Sequence, residues 1–211
     1  KRSGTMTASF VGESESTTAT NAKVHPIDLV AKKIKAIGLY TDDLSEDSVV
    51  SIGDDFAREI SHAFAIKEDQ CGLLGDGTST YGGITGVSNK IGSAGTGTQG
   101  TGTTWGALVL GDFNSMMAKL PEYVTNSDNC RWVCNKTFYY EVMEPLKLSQ
   151  GGADRSDVTE KDNEVFRGYP VRFAQVMPST SSTSVACAFG DFRMAAMFGD
   201  RRKETVQFSQ H

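Results

Sequence analysis

Residues 56–77 read FAREISHAFAIKEDQCGLLGDG, a long amphipathic pattern that runs into a glycine-rich stop. Val49, Ile52, Phe56, Ile60, Phe64, Cys71 and Leu74 recur mostly at three- and four-residue spacings, which sets one apolar stripe on one helix face. Ser45 or Asp47 is placed to cap the start, and Gly75 to end the helix in a left-handed turn. From 48 to 74 such a helix spans roughly 40 Å at 1.5 Å per residue. A helix that long in a small protein is a spine on which other parts are hung.

The 211 residues are enough for one large domain or two small ones. A hydrophobic fraction of 38% with 22 glycines is ordinary for a globular protein. No apolar run approaches the roughly 18 residues of a transmembrane helix, so no membrane partner is expected. No signal peptide is visible at Lys1, and the start reads as cut from something longer. The net charge of −5 argues against a dedicated nucleic-acid binder, which needs clustered Lys and Arg. Of the four cysteines, Cys130 and Cys134 lie in NCRWVCNK, which alternates like a strand. Four residues along a strand cover about 13 Å, too far to share a zinc ion at about 2.3 Å per bond. Free thiols in a reducing cytoplasm are therefore expected, with no metal and no cofactor.

Residues 1–22 are polar, and GESESTTATNA reads as a loop tip. Its flanks, TMTASFV and KVHPIDLVAKKIKAIGLYT, alternate with period two, with Val24, Ile27, Leu29, Ile34, Ile37 and Leu39 on one face. Together they form a long two-stranded excursion, marginal in water unless it lies on a neighbour. Residues 75–106 are rich in Gly and Thr and read as a flexible connection between two bodies. Thr104 then caps a helix, TWGALVLGDFNSMMAKLP, which Pro121 stops. Its apolar stripe is Trp105, Leu108, Val109, Phe113, Met116, Met117 and Leu120. A strand follows at 131–133, then a helix at 136–148 with Phe138, Val142 and Leu146 inward and Gly151–Gly152 as its exit. Residues 165–176, 185–189 and 194–198 read as three further strands, and 201–208 as the start of another. The fold class is α+β in two bodies.

Several stretches resemble, in order, the major capsid proteins of tailed bacteriophages, the Hong Kong ninety-seven fold. TASFVGE and AKKIKAIGLYTDDLSEDS precede the helix, whose end is AFAIKEDQCGLLGDGTSTYGGITGV. RWVCN, VFRGYPVRFAQVMP and AFGDFRMAAMFGDRR follow. The family has a similar GDGT-like turn, a tryptophan-containing strand, a G-PV strand ending in proline, and a GDF strand leading into a DR turn. The resemblance runs from Thr7 to Arg202. Phe10 departs from it, since many relatives have tryptophan there. Relatives also continue past the DR turn and begin with an extra arm, so the resemblance implies a prophage-encoded member truncated at both ends.

The resemblance implies an extended β-hairpin loop and peripheral-domain strand at 1–45, and the spine helix at 46–76. A connection at 77–103, a compact α/β axial domain at 104–197, and a strand returning to the peripheral domain at 198–211 complete it. It implies a non-enzymatic head protein that assembles with itself into hexamers and pentamers of an icosahedral shell around double-stranded DNA. Scaffold, maturation protease and portal are the further partners it suggests. The place would be the virion, assembled in the bacterial host cytoplasm. In the family each subunit lays its loop across the next. Phe10, Glu13, Glu15 and Lys23 on the loop, and Arg58, Glu59, Lys67 and Glu68 on the spine, are the candidate interface residues. Some relatives link a loop lysine covalently to a neighbour's asparagine. Lys23 is the nearest lysine here, but no acceptor is identifiable and no crosslink is expected.

Other chemistries fit less well. GLLGDGTSTYGG lacks the Lys-Ser/Thr of a P-loop and follows a helix rather than a strand. His25, His62 and His211 are the only histidines, and no GxSxG elbow is present. Asp54 and Arg58 are four apart, as are Asp55 and Glu59, which suits a solvated helix face as well as an interface. Within the same fold the alternative is an encapsulin-like nanocompartment shell that encloses enzymes. From other classes, a soluble enzyme with its site between the two bodies, or an adhesin-like module, would require a pocket or a disulfide framework.

Overall fold

In the computed structural model, which describes residues 29–39, 51–100, 102–126, 128–149, 164–180, 185–199 and 201 with scattered positions from 8 to 26, the apolar stripe forms helix α1, Ile52–Leu74. Its 23 residues reach about 35 Å. The helix starts later than its sequence suggests. Ser51 precedes it in extended conformation and makes no side-chain cap, while Asp54 and Asp55 in the first turn favour the positive end of the helix dipole. Ser45 and Asp47 lie outside the described residues. Only Cys71 is buried on α1, whereas Ile52, Phe56, Ile60 and Phe64 are half-buried. The stripe is real but only partly covered.

Gly75 ends α1 without the expected left-handed turn: its φ is −49° and ψ 131°. Glycine stands there for a different reason. A Cβ on Gly75 would lie 2.5 Å from the Cys71 carbonyl oxygen and 2.5 Å from that of Ile84. The segment 75–91 turns back onto the helix end. Gly86 N–H donates to Gly75 O at 2.8 Å, and Gly77 N–H donates to Ile84 O at 3.0 Å. The loop is closed by Gly82 and Gly83 at φ 62° and 77°, which suits residues without a Cβ. A short helix α2, Val87–Lys90, follows. From it, Asn89 Nδ2 donates to Leu74 O and Gly75 O, both at 2.9 Å, satisfying carbonyls that α1 leaves open. What the composition suggests is a flexible connection is, over 75–91, a folded clasp.

Beyond the clasp come a 3₁₀ turn, Trp105–Ala107, and helix α3, Leu110–Ala118. The single helix expected here is thus broken. Thr104 makes no side-chain cap, and Asp112 instead accepts from Val109 N at 3.1 Å and Gly100 N at 3.0 Å. Pro121 stops the helix and opens a short one, α4, Glu122–Thr125. Strand β1, Cys130–Cys134, leads into α5, which runs Lys136–Phe138, widens to a π turn over Tyr139–Met143 and closes as Glu144–Ser149. Strands β2, Val165–Phe166, and β3, Tyr169–Phe173, form a hairpin, and β4 is Cys187–Asp191. The expected single strand at 165–176 is split by Arg167 and Gly168, at φ 54° and 82°. Two successive positive φ values make the type I′ turn that joins twisted strands. Residues 194–198 are not a strand: Phe192–Ala195 forms the turn of helix α6, capped by Asp191 through Arg193 N at 2.9 Å.

The sheet order is β2-β3-β1-β4, with β1 parallel to β3 and antiparallel to β4. One face carries the core. Trp132 at its centre is fully buried and packs against Phe113, Phe166 and Phe189 at centroid distances of 5.8, 5.6 and 4.3 Å. Its indole N–H donates to Phe166 O at 3.1 Å, which ties β1 to the hairpin. Trp105, Phe138, Tyr139, Val142 and Met143 close the core from the helical side. The π turn brings Tyr139, Val142 and Met143 inward together.

The chain divides into two compact units, Lys1–Lys32 with Gly199–Glu204, and Lys33–Phe198 with Thr205–His211. Among the described residues, 29–39 carries no strand, and Leu29, Ile34, Ile37 and Leu39 are exposed. A strand forms only against a partner, and none pairs with this segment among the described residues. Val24, Ile27, the expected exit at Gly151–Gly152 and the strand at 202–208 lie outside the described residues.

Candidate functional site

The candidate interface residues fall into three groups. On the loop side, Phe10 is completely exposed and Glu13 is exposed, while Glu15 and Lys23 lie outside the described residues. On α1, Arg58, Glu59 and Glu68 are exposed along the helix. Lys67 is different. It is half-buried, with Nζ 5.2 Å from the centre of the Tyr81 ring, so its charge rests on the clasp of its own chain. The structure therefore groups Arg58, Glu59 and Glu68 on one element and turns Lys67 toward the loop at its end.

The most distinctive surface is α1 itself. A 23-residue helix with one buried side chain leaves its stripe of Ile52, Phe56, Ile60 and Phe64 half open. Sequence reasoning found the stripe but missed the clasp that fixes its end. The residues that build it are Gly75, Gly86, Asn89 and Tyr81. The spacing GITGVSN carries a signal for it: two glycines ahead of a side-chain amide within reach of a helix end.

The glycine-rich loop does not form a phosphate cradle. The amides of Gly77, Gly83 and Gly86 are taken by the carbonyls of Ile84, Thr78 and Gly75. Asp76 adds a carboxylate that accepts from Thr78 N at 2.8 Å. Hydrogen bonds from the Thr78 side chain and backbone hold that carboxyl below its usual range.

The four cysteines are free. Cys134 and Cys187 face each other across the β1–β4 ladder, and burial pushes each thiol up to about 12, with the Glu164 charge adding at Cys134 and Cys134 itself at Cys187. Cys134 also lies 3.9 Å from the Met143 sulfur. Burial raises Cys130 too, with Asp191 as its ladder neighbour. Cys130 and Cys134 are buried and Cys187 is half-buried, and the raised thiols stay in the unreactive neutral form. Among the described residues no group of three His, Cys, Asp or Glu side chains is placed to hold a metal.

Asn135 is a buried polar residue that sequence reasoning missed. Its Oδ1 accepts from Thr137 N at 3.0 Å, capping α5, and its Nδ2 donates to Met177 O at 2.9 Å and Gln175 O at 3.2 Å. It thereby pins the segment after β3 to the end of β1. Two shallow depressions mark the sheet. One of about 480 Å³ is lined by Asn129, Arg131, Val133, Phe192 and Arg193, and one of about 310 Å³ lies beside Tyr169 and Thr125. Both are open to solvent, unlike the enclosed, convergent pocket of an enzyme.

Compared with known protein families, residues 1–211 match the phage capsid family. The chain belongs to the phage capsid family. As a capsid protein it is a structural component of the virion and not an enzyme. Two solved capsid chains are similar to it. One, described as the capsid of the native GTA particle computed with C5 symmetry, is 21% identical with a TM-score of 0.49. The other, from the empty GTA particle, is 20% identical with a TM-score of 0.45. Each match covers 72% of this chain and 53% of the other, so this capsid protein spans about half the length of those chains. A comparison with curated proteins gave no match. Among the described residues, no helix of this capsid protein is long and apolar enough to cross a membrane.

Proposed function

We propose that this chain is the major head subunit of a phage or prophage. It assembles with itself into hexamers and pentamers of an icosahedral shell that encloses double-stranded DNA. The observation that carries this reading is the match to the capsid family along all 211 residues. The half-covered stripe on α1 supports it, because an apolar helix face that its own chain leaves partly open suits burial by a neighbour. The mechanism is geometric. The body at 104–197 joins subunits around a ring, and the 1–45 loop crosses the next subunit near Arg58, Glu59 and Glu68. Many modest contacts then sum to a closed shell. Scaffold, maturation protease and portal belong to this reading as partners, and the host cytoplasm as the place of assembly.

Negative-stain electron microscopy of the complete gene product, expressed alone, tests the proposal. Uniform polyhedral shells or six-membered rings, with nuclease-protected DNA in particles from infected or induced cells, are expected. Shells holding protein in place of DNA would assign it to nanocompartments. Small discrete particles at every concentration and salt, with scaffold supplied, would refute self-assembly.

A further inference from the structure

The sheet has a second face. Alternation along β1 and β3 sends Trp132 and Val171 into the core, and sends Arg131, Val133 and Arg172 the other way. Val133 and Arg172 are partners in the ladder, so Arg131 and Arg172 rise roughly 8 Å apart at their bases. Arg193, on α6, lines the same depression as Arg131 and Val133. Arg172 and Arg193 are exposed, Arg131 is half-buried, and none of the three has a carboxylate partner among the described residues. Arg131 Nε donates to Asn129 O at 3.2 Å, which orients the guanidinium. Three guanidiniums at this face without a carboxylate partner among the described residues are out of character for a chain of net charge −5.

We propose that Arg131, Arg172 and Arg193 make this open sheet face a contact for the phosphate backbone of the double-stranded DNA that the shell encloses. The proposal rests on the capsid reading for the presence of DNA. Guanidinium matches phosphate by bidentate hydrogen bonds as well as by charge. A duplex presents one negative charge per roughly 1.7 Å of its axis, so two arginines roughly 8 Å apart find phosphates in any register and on any sequence. Val133 and Phe192 give the depression an apolar floor without base-reading groups. Three contacts per subunit hold DNA weakly, and a shell of many copies can still order the outermost layer against its wall while letting DNA leave.

The test uses the purified chain and a fluorescently labelled 20-base-pair duplex of random sequence, with binding read by anisotropy between 50 and 200 mM NaCl. Three phosphate contacts give a log–log salt slope of about −2.7, a fall of about 40-fold in affinity over that range. R172Q/R193Q removes two contacts at exposed positions and is expected to bring the slope to about −0.9. K35Q/K90Q makes the same charge change at exposed positions outside the sheet strands and is expected to leave the slope unchanged. A wild-type slope shallower than about −1, or equal flattening by both variants, overturns the proposal. A second arm uses a peptide of residues 150–164, which carries Asp154, Asp157, Glu160, Asp162 and Glu164. If it binds the wild-type chain more tightly than the duplex at equal salt, and R172Q/R193Q abolishes that binding, the face serves an acidic protein segment and the DNA contact is wrong. Loss of shells in R172Q/R193Q with the DNA slope retained makes the face a subunit contact, which also overturns it. Absence of wild-type shells with the slope intact removes the shell reading and leaves the phosphate contact standing.

Discussion

Replacing Gly86 by alanine puts a methyl group where the clasp has no room. The new Cβ would lie 2.6 Å from Gly75 N, 2.7 Å from Leu73 C and 2.8 Å from Leu73 O. All three are backbone atoms, so no side chain can swing aside. Relief requires the 84–89 segment to move off the end of α1. That strains Gly86 N to Gly75 O, Gly77 N to Ile84 O and the two bonds from Asn89 Nδ2. At about 1 kcal/mol net per hydrogen bond, losing most of these costs about 3 kcal/mol, a large part of the 5–15 kcal/mol typical of a small domain. Gly72 on the same helix is the control. Nothing lies within 4 Å of its Cβ, and it sits inside the helix, so Gly72→Ala is expected to stabilise by about 1 kcal/mol. Urea unfolding followed by circular dichroism reads both as midpoint shifts of opposite sign at constant slope. If Gly86→Ala stays within about 0.5 kcal/mol of wild type, the clasp does not hold the helix end and the reasoning fails.

Further expectations concern the sheet body. Arg167 holds a left-handed conformation at φ 54°, so Arg167→Asn should raise stability by about 0.5–1 kcal/mol in the same urea assay. Asn135→Ala removes a helix cap and leaves the Gln175 and Met177 carbonyls without their donor, a loss of about 2–3 kcal/mol, visible as an earlier thermal transition. Cys134 and Cys187 favour the neutral thiol when folded, at about 12 against about 9 unfolded. Their contribution to stability is therefore complete below about pH 9 and is lost as pH rises through 12. Cys187→Ala should flatten the alkaline decline in melting temperature. In the native protein both thiols should resist iodoacetamide at pH 8 and react only on unfolding.

Legibility differed between elements for physical reasons. The spine helix was readable because seven apolar residues at helical spacing survive any choice of neighbour, and the stop at Gly75 was visible as glycine. Its cause was not, because close approach of Ile84 and Gly86 depends on a loop returning from beyond the helix. Strand β1 was readable from Arg131, Trp132 and Val133, while its parallel pairing with β3 leaves no local mark. The arginine in the RG turn hid a tight hairpin, since Asn-Gly or Gly-Gly would have announced it. Met194, Met197 and Phe198 looked like a strand because exposed apolar residues are indistinguishable in sequence from buried ones. Of the interface candidates, Lys67 was separated from Arg58 and Glu59 only by the position of Tyr81.

The place of β1 in the sheet also has a consequence for synthesis. Its ladder partners begin at Tyr169 and Cys187, far downstream in the chain. At about 5–20 residues per second, a ribosome leaves β1 without β4 for several seconds after Cys134 is made. Trp132 then waits with Phe113 as company but without Phe166 and Phe189, and both edges of the strand stay open. This capsid protein is thus most vulnerable while nascent, so its soluble yield should respond to translation speed and chaperone supply before it responds to the stability of the finished chain.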